Sequence, residues 1–230
     1  MNNKRKSALD ISNSDFGGLN IIPKIRREAK KYFVSARGSH DWDHTERVLN
    51  LAIHIGKKEK ANLDILTVAA LLHDIKRKEQ DEKLGEVCHA ELAANESKKI
   101  LKKYELENNF IKKVSHCIKT HRFRGNNIPK SKEAKILFDS DKLDSIGAVG
   151  IGRAFLFAGE LGAKLHNPRK NPEETKAYSE EDTAYREFSV SLRKKKDEIL
   201  TNEGKKIAKE RHKFMVEFFD RLNKEVKGLQ

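Results

Sequence analysis

The run Ile65-Leu66-Thr67-Val68-Ala69-Ala70-Leu71-Leu72 ends in His73-Asp74, and this junction constrains the chain more than any other stretch. The run reads as the most apolar helix of the protein, and its last residues place a carboxylate beside a large apolar surface. Burying an unpaired charge there is costly, so Asp74 needs a partner. A metal ion is one such partner and an arginine is another. Arg211 is the arginine candidate, because it sits on the Ile207, Phe214, Phe218 stripe of the last helix.

The remaining pattern is helical as well. Only 4 of the 230 residues are proline, and long stretches of Ala, Leu, Ile, Lys and Glu favour helix. Helices are expected from Pro23, with Ile25, Ala29, Tyr32 and Phe33 inward, and then over about 42–60, 63–78, 86–104, 107–121, 132–158, 185–200 and 203–224. Gly38-Ser39 and the stretch Gly125 to Pro129 read as breaks. No strand-type alternation and no internal repeat is present. The expected architecture is an all-α bundle in one domain over residues 21–228. A flexible, polar extension is expected over 1–20, and a long polar loop over 166–182.

Helical phase sorts the 9 histidines. His44 heads the stripe Val48, Leu51, Ile55 and faces inward. His89 heads Leu92, Ala93, Ile100, and His121 closes Phe110, Val114, Ile118. Asp141 shares a face with Leu137 and Ala148, Asp144 falls on the same face, and Asp139 does not. His54 and His116 fall among polar neighbours and read as surface residues. The inward set is then His44, His73, Asp74, His89, His121, Asp141 and Asp144. These groups either find hydrogen-bond partners separately or share one site. Imidazole with carboxylate suits Mn, Fe, Zn, Ni or Co, and the lack of thiolates argues against a structural zinc site. Cys88 and Cys117 suggest no disulfide framework.

Three segments carry a family resemblance: Ser39-His40-Asp41-Trp42-Asp43-His44-Thr45-Glu46-Arg47-Val48, Leu71-Leu72-His73-Asp74-Ile75, and Asp139-Ser140-Asp141-Lys142-Leu143-Asp144. In this order they resemble the HD-domain metal-dependent phosphohydrolases, in particular the small stand-alone bacterial and archaeal ones. The resemblance spans about residues 24–225. It implies an all-helical fold with His44, His73, Asp74 and Asp141 as metal ligands. It places His89 and His121 near the site, to touch substrate phosphate or to hold a second metal, with one tightly held metal favoured. Some members resemble nucleotide pyrophosphohydrolases, which cleave (deoxy)nucleoside triphosphates to monophosphate and pyrophosphate. The segment after His73-Asp74, Ile75-Lys76-Arg77-Lys78-Glu79-Gln80-Asp81, departs from the acidic pair of the stringent-response hydrolases and leaves the general base open.

The expected chemistry is attack of a metal-bound water on phosphorus, with Mn favoured and Fe, Ni, Co, Zn or Mg as alternatives. Asp144 or Glu79 would position the water or move its proton. Lys76, Arg77 and Lys142 would hold phosphates, unless they are solvated or paired. Arg211 would contact phosphate or pair with a buried carboxylate. The expected substrate is an anionic phosphate ester, with a nucleotide favoured. A nucleotidase or cyclic-nucleotide phosphodiesterase is the competing enzyme, and a nucleic-acid-binding or signalling module the competing non-enzyme. The net charge of +13 favours anionic partners, but the lysines are scattered among glutamates without an aromatic-interleaved stretch, so nucleic acid is not the expected partner. No membrane span or signal peptide is apparent, so a cytoplasmic monomer or homodimer is expected.

Overall fold

The computed structural model describes residues 19–34, 41–83, 86–122, 127–167 and 169–229. The expectations for residues 1–18, for the break at Gly38-Ser39, for Ser39-His40 of the first motif and for part of the Gly125 to Pro129 turn lie outside these residues. The described residues form ten α-helices and no strand. They are α1 Ile22–Lys30, α2 Trp42–Glu59, α3 Leu63–Leu72, α4 Arg77–Glu82, α5 His89–Lys103, α6 Asn108–Thr120, α7 Lys132–Asp144, α8 Gly147–Glu160, α9 Ala184–Val190 and α10 Asn202–Glu225. Short 3-10 segments cover Lys31–Phe33, Pro172–Glu174 and Leu192–Glu198. No helix among the described residues is long and apolar enough to cross a membrane.

The apolar run that ends in His73-Asp74 is the axis of the fold. Every residue from Ile65 to Leu72 of α3 is buried, and α1, α2, α5, α6 and α7 all pack against this helix. Asn62 starts it by accepting a hydrogen bond from the Ile65 N–H. Burying each Leu or Val of the run contributes about 1.5–3 kcal/mol, so α3 is anchored on all sides and its C-terminal end is held at the centre of the bundle. Phe155, Phe188, Phe218 and Phe219 extend the core where α8, α9 and α10 meet.

Three expected helices prove to be broken. The stretch expected over 63–78 stops at Leu72, turns through residues 73–76 and restarts as α4. At this turn the Nδ1–H of His73 bonds the Ala70 carbonyl, so the side chain caps its own helix instead of continuing it. The stretch expected over 132–158 divides between α7 and α8. Gly147 adopts a left-handed φ of 80°, and a Cβ at Gly150 would lie 2.2 Å from the Ser145 carbonyl oxygen. This break resets the helical phase, so Ala148 is exposed while Asp141 and Asp144 point inward. The stretch expected over 185–200 divides into α9 and the 3-10 segment Leu192–Glu198.

Asp139, set apart from the inward face by phase, is also fully buried. Its carboxylate accepts from the Leu200 and Thr201 N–H groups at 2.9 and 2.7 Å and from the Thr201 hydroxyl at 2.6 Å. It fastens the start of α10 to α7 and takes no part in the inward cluster. The polar stretch 166–182 is pinned locally: Asp182 accepts from the Tyr178 N–H and from Arg186, and His166 stacks on Tyr185.

Candidate active site

The inward histidines and aspartates meet at the end of α3. His44 comes from the first turn of α2, His73 and Asp74 follow α3, His89 begins α5, His121 follows α6, and Asp141 and Asp144 come from the last turn of α7. Asp41 fixes the start of α2 by accepting from the His44 N–H. All four histidines and Asp74 are buried, whereas the Asp141 side chain keeps 27% of its exposure.

Hydrogen bonding at each Nδ1 settles the tautomers. His73 Nδ1 lies 2.7 Å from the Ala70 carbonyl oxygen and His121 Nδ1 lies 2.6 Å from that of Ile118. A carbonyl only accepts, so both Nδ1 atoms carry hydrogen, and in the neutral rings the lone pair is at Nε2. His44 Nδ1 donates to Asp144 Oδ2 at 2.8 Å. His89 Nδ1 donates to Gln80 Oε1 at 3.0 Å. The four Nε2 atoms therefore turn toward one another. His44 and His73 Nε2 are 3.4 Å apart, and His89 and His121 Nε2 are 3.2 Å apart.

Asp74 lies between the two imidazole pairs. Its Oδ2 is 3.7 Å from the Nε2 of both His44 and His73, and its Oδ1 is 2.9 Å from His89 Nε2 and 3.5 Å from His121 Nε2. Asp141 Oδ1 is 3.3 Å from His44 Nε2. The buried Asp74 Oδ1 lies against the Nε2 atoms of His89 and His121, so it is left without a hydrogen-bond donor whenever those rings are neutral. Ring nitrogens and carboxylates this close call for positive charge among them, a proton on His44 in the metal-free site or a metal ion in its place. Two donor groups satisfy metal-ligand spacing, His44 with His73 and Asp141, and Asp74 with His89 and His121. Both are imidazole and carboxylate without thiolate, which fits a divalent transition ion.

Burial raises the cost of the Asp74 charge, but the surrounding histidines outweigh it and hold the carboxyl well below its ordinary range. Asp141 is likewise held far down despite burial, chiefly by His44. Burial disfavours the charged His44 ring, yet its hydrogen bonds to Asp141 and Asp144 lift it to about 9. Burial pushes His73 down, and pushes His89 down to about 4.

The cluster opens into a cleft of about 330 Å³, lined in part by Asp74, His89, His121 and Asp141. Arg77, Arg122, Lys142, Arg153 and Lys195 supply positive charge around it, and Glu187 adds one carboxyl that burial raises above its ordinary range. Arg77 and Lys142 thus line the cleft. Arg77 also donates to Asp81 and Lys142 to Glu198.

Lys76 and Glu79 do not reach the cleft. They pair with each other, and the Lys76 ammonium sits 5.5 Å from the centre of the Tyr32 ring. Neither the phosphate role of Lys76 nor the proton-transfer role of Glu79 has the geometry it needs, because their mutual pair lies beside Tyr32 rather than on the cleft. Arg211 does not pair with Asp74. It donates to the Leu143 carbonyl oxygen near Asp144, while histidines surround Asp74. Asp144 is fully engaged. Besides His44, it accepts from Arg47 at 2.8 and 3.1 Å and from Arg153 at 2.9 Å, and its carboxyl is lowered to about 2 because these partners outweigh burial.

Sequence reasoning did not single out Gln80, Arg122, Glu187 or Lys195. Arg122 follows His121 directly, so adjacency was a usable signal. The others depend on tertiary turns that periodicity does not report.

The HD domain family model matches residues 41–146, which hold every histidine and aspartate of the cluster. The Bacillus subtilis protein YpgQ is 36% identical over 210 residues, covering 90% of this chain and 94% of that protein. A solved structure of YpgQ in complex with ADP is 31% identical, covers 91% of this chain and all of that one, and superposes with a TM-score of 0.69. An HD-superfamily hydrolase from Bacillus thuringiensis is 30% identical with a TM-score of 0.71, covering 90% of this chain and 96% of that one. With the all-helical fold and the histidine–aspartate cluster, these similarities place the chain in the HD family as a metal-dependent hydrolase.

Proposed function

We propose that the protein hydrolyses a (deoxy)nucleoside triphosphate to the monophosphate and pyrophosphate. One observation carries this reading: the convergence of four Nε2 atoms and two carboxylates beside a cation-lined cleft. The donor set supports a divalent ion held by His44, His73, Asp74 and Asp141, with Mn favoured. Bound there, the ion supplies Lewis-acid polarisation of a phosphoryl oxygen and lowers the pKa of a water.

The chain's own groups account for the rest. Arg77, Arg122, Lys142, Arg153 and Lys195 offset the charge of a polyphosphate and orient it toward the cluster. Water oxygen joins the α-phosphorus and gives up its proton to solvent, the bond to the bridging oxygen breaks, and pyrophosphate leaves with that oxygen. Asp144 serves by holding His44 through Nδ1, since both of its oxygens are already taken by donors. Support for a nucleotide comes from the related YpgQ, which was crystallised with ADP.

A second cation at Asp74, His89 and His121 is the competing reading of the metal content, favoured by the donorless Asp74 Oδ1. The alternative enzyme is a nucleotidase or cyclic-nucleotide phosphodiesterase.

A panel of nucleotides assayed with Mn, Mg, Ni and Co separates these readings by product. Pyrophosphate release supports the proposal, and orthophosphate as the sole product overturns it. Asp74→Ala is expected to abolish metal binding and hydrolysis together, and full activity of that variant at saturating Mn would refute the site.

A further inference from the structure

We infer that Gln80 is a positioning residue, whose single side-chain oxygen fixes the His89 ring in one tautomer and holds Arg122 on the wall of the cleft. The inference rests on the proposed nucleotide reading only for its phosphate half. Gln80 belongs to α4 and is buried, on the short helix whose other polar side chains face outward or pair with one another. Its Oε1 receives three donors: the His89 N–H at 3.2 Å, His89 Nδ1 at 3.0 Å and Arg122 Nη1 at 2.9 Å. The backbone N–H and the guanidinium can only donate, so the amide must present its oxygen there, and the amide orientation is determined. His89 Nδ1 must then carry its hydrogen, which leaves Nε2 bare and aimed at Asp74 Oδ1 and His121.

The same oxygen acts on the substrate side. Arg122 and His89 both line the cleft, and Arg122 Nη1 approaches His89 Nδ1 to 3.4 Å. Two N–H donors crowded this closely repel unless an acceptor lies between them, and Gln80 is that acceptor. Removing it leaves His89 free to move its hydrogen to Nε2, where Asp74 Oδ1 waits at 2.9 Å. It also removes one of the contacts that hold Arg122 on the wall. Groups that support a site in this way typically change affinity by tenfold or more when removed.

The test uses Gln80→Met, which keeps length and bulk but removes the oxygen, and Gln80→Glu, which keeps an acceptor. The histidine rings are read by 15N NMR on the metal-free protein, where 9 histidines keep the spectrum tractable. The His89 hydrogen is expected on Nδ1 in the parent and in Q80E, and displaced to Nε2 in Q80M. An unchanged His89 tautomer in Q80M overturns the inference. So does displacement in Q80E, which remains informative should Q80M fail to fold. The phosphate half is read as ADP affinity in the presence of Mn. Q80M and Arg122→Ala should each weaken ADP by about tenfold, and the double variant should be no weaker than either alone. Additive losses, or an unaltered affinity in Q80M, reject the coupling. Failure of the parent to bind ADP would refute the nucleotide reading while the tautomer measurement still decides the role of Gln80.

Discussion

At the cluster, the direction of a proton on each imidazole decides which nitrogen faces the centre, and Asp144 decides it for His44. Asp144 is ionised, buried and held between Arg47 and Arg153, so it accepts from His44 Nδ1 without strain. Asp144→Asn keeps the shape but puts an amide donor against either the imidazole or an arginine. Mn affinity, measured by calorimetry, is expected to fall about 10–100-fold. Parent-like affinity would show that His44 is oriented by packing alone. A second residue-scale expectation concerns the thiols. Cys117 is fully buried in the core, and burial lifts its thiol to about 12, whereas Cys88 is partly exposed. A thiol reagent should label Cys88 in the native protein and both cysteines after unfolding. Rapid native labelling of Cys117 would contradict the packing of α6. At this scale the sequence was legible where a side chain sits on a long apolar stripe. His44, His89 and His121 follow from phase because α2, α5 and α6 are regular. Glu79, Lys76 and Arg211 did not follow, because short-range pairing and a backbone carbonyl claimed them in ways that residue type does not announce. Asp139 shows the same limit, since its partners lie more than 60 positions away.

Helix existence was readable from periodicity, but the breaks were not, and the breaks aim the site. The α7–α8 junction turns within three residues, so that Asp144 can meet His44 while Arg153, nine positions on, returns to the same carboxylate. Gly150 makes this possible, because the Ser145 carbonyl occupies the place a Cβ would take. In an ordinary helix Gly→Ala is stabilising by about 0.5–1 kcal/mol. Gly150→Ala should do the opposite and destabilise by about 1–3 kcal/mol in urea unfolding, since backbone rather than a mobile side chain must give way. It should also weaken Mn binding by displacing Asp144. A stabilised G150A protein would mean that α8 approaches α7 less closely. The turn after α3 works by different means: the His73 ring takes a carbonyl of its own helix, which no propensity scale weighs.

For the whole molecule, the consequence is that the metal ligands double as ties between helices. The candidate cluster draws on α2, the end of α3, α5, the end of α6 and α7, so an ion held there joins five elements whose unfolded forms offer no such site. Without a metal ion, the four Nε2 atoms still face one another, and the buried carboxylates rely on the histidines, His44 above all, for compensation. An ion at a free concentration of about 100 times its Kd stabilises the native state by about 2.7 kcal/mol, which for a chain of this size corresponds to a rise in melting temperature of about 5–10 °C. Thermal melts with Mn should show that rise, and EDTA should reverse it. Asp74→Ala should show no rise with Mn, because it removes the carboxylate that both imidazole pairs share. Its melt without metal should fall as well, since the histidines hold Asp74 ionised in the fold and the substitution leaves them without that partner. An Mn-dependent rise that survives in D74A would place the stabilising ion elsewhere, and the cluster would then be a hydrogen-bonded histidine core rather than a metal centre.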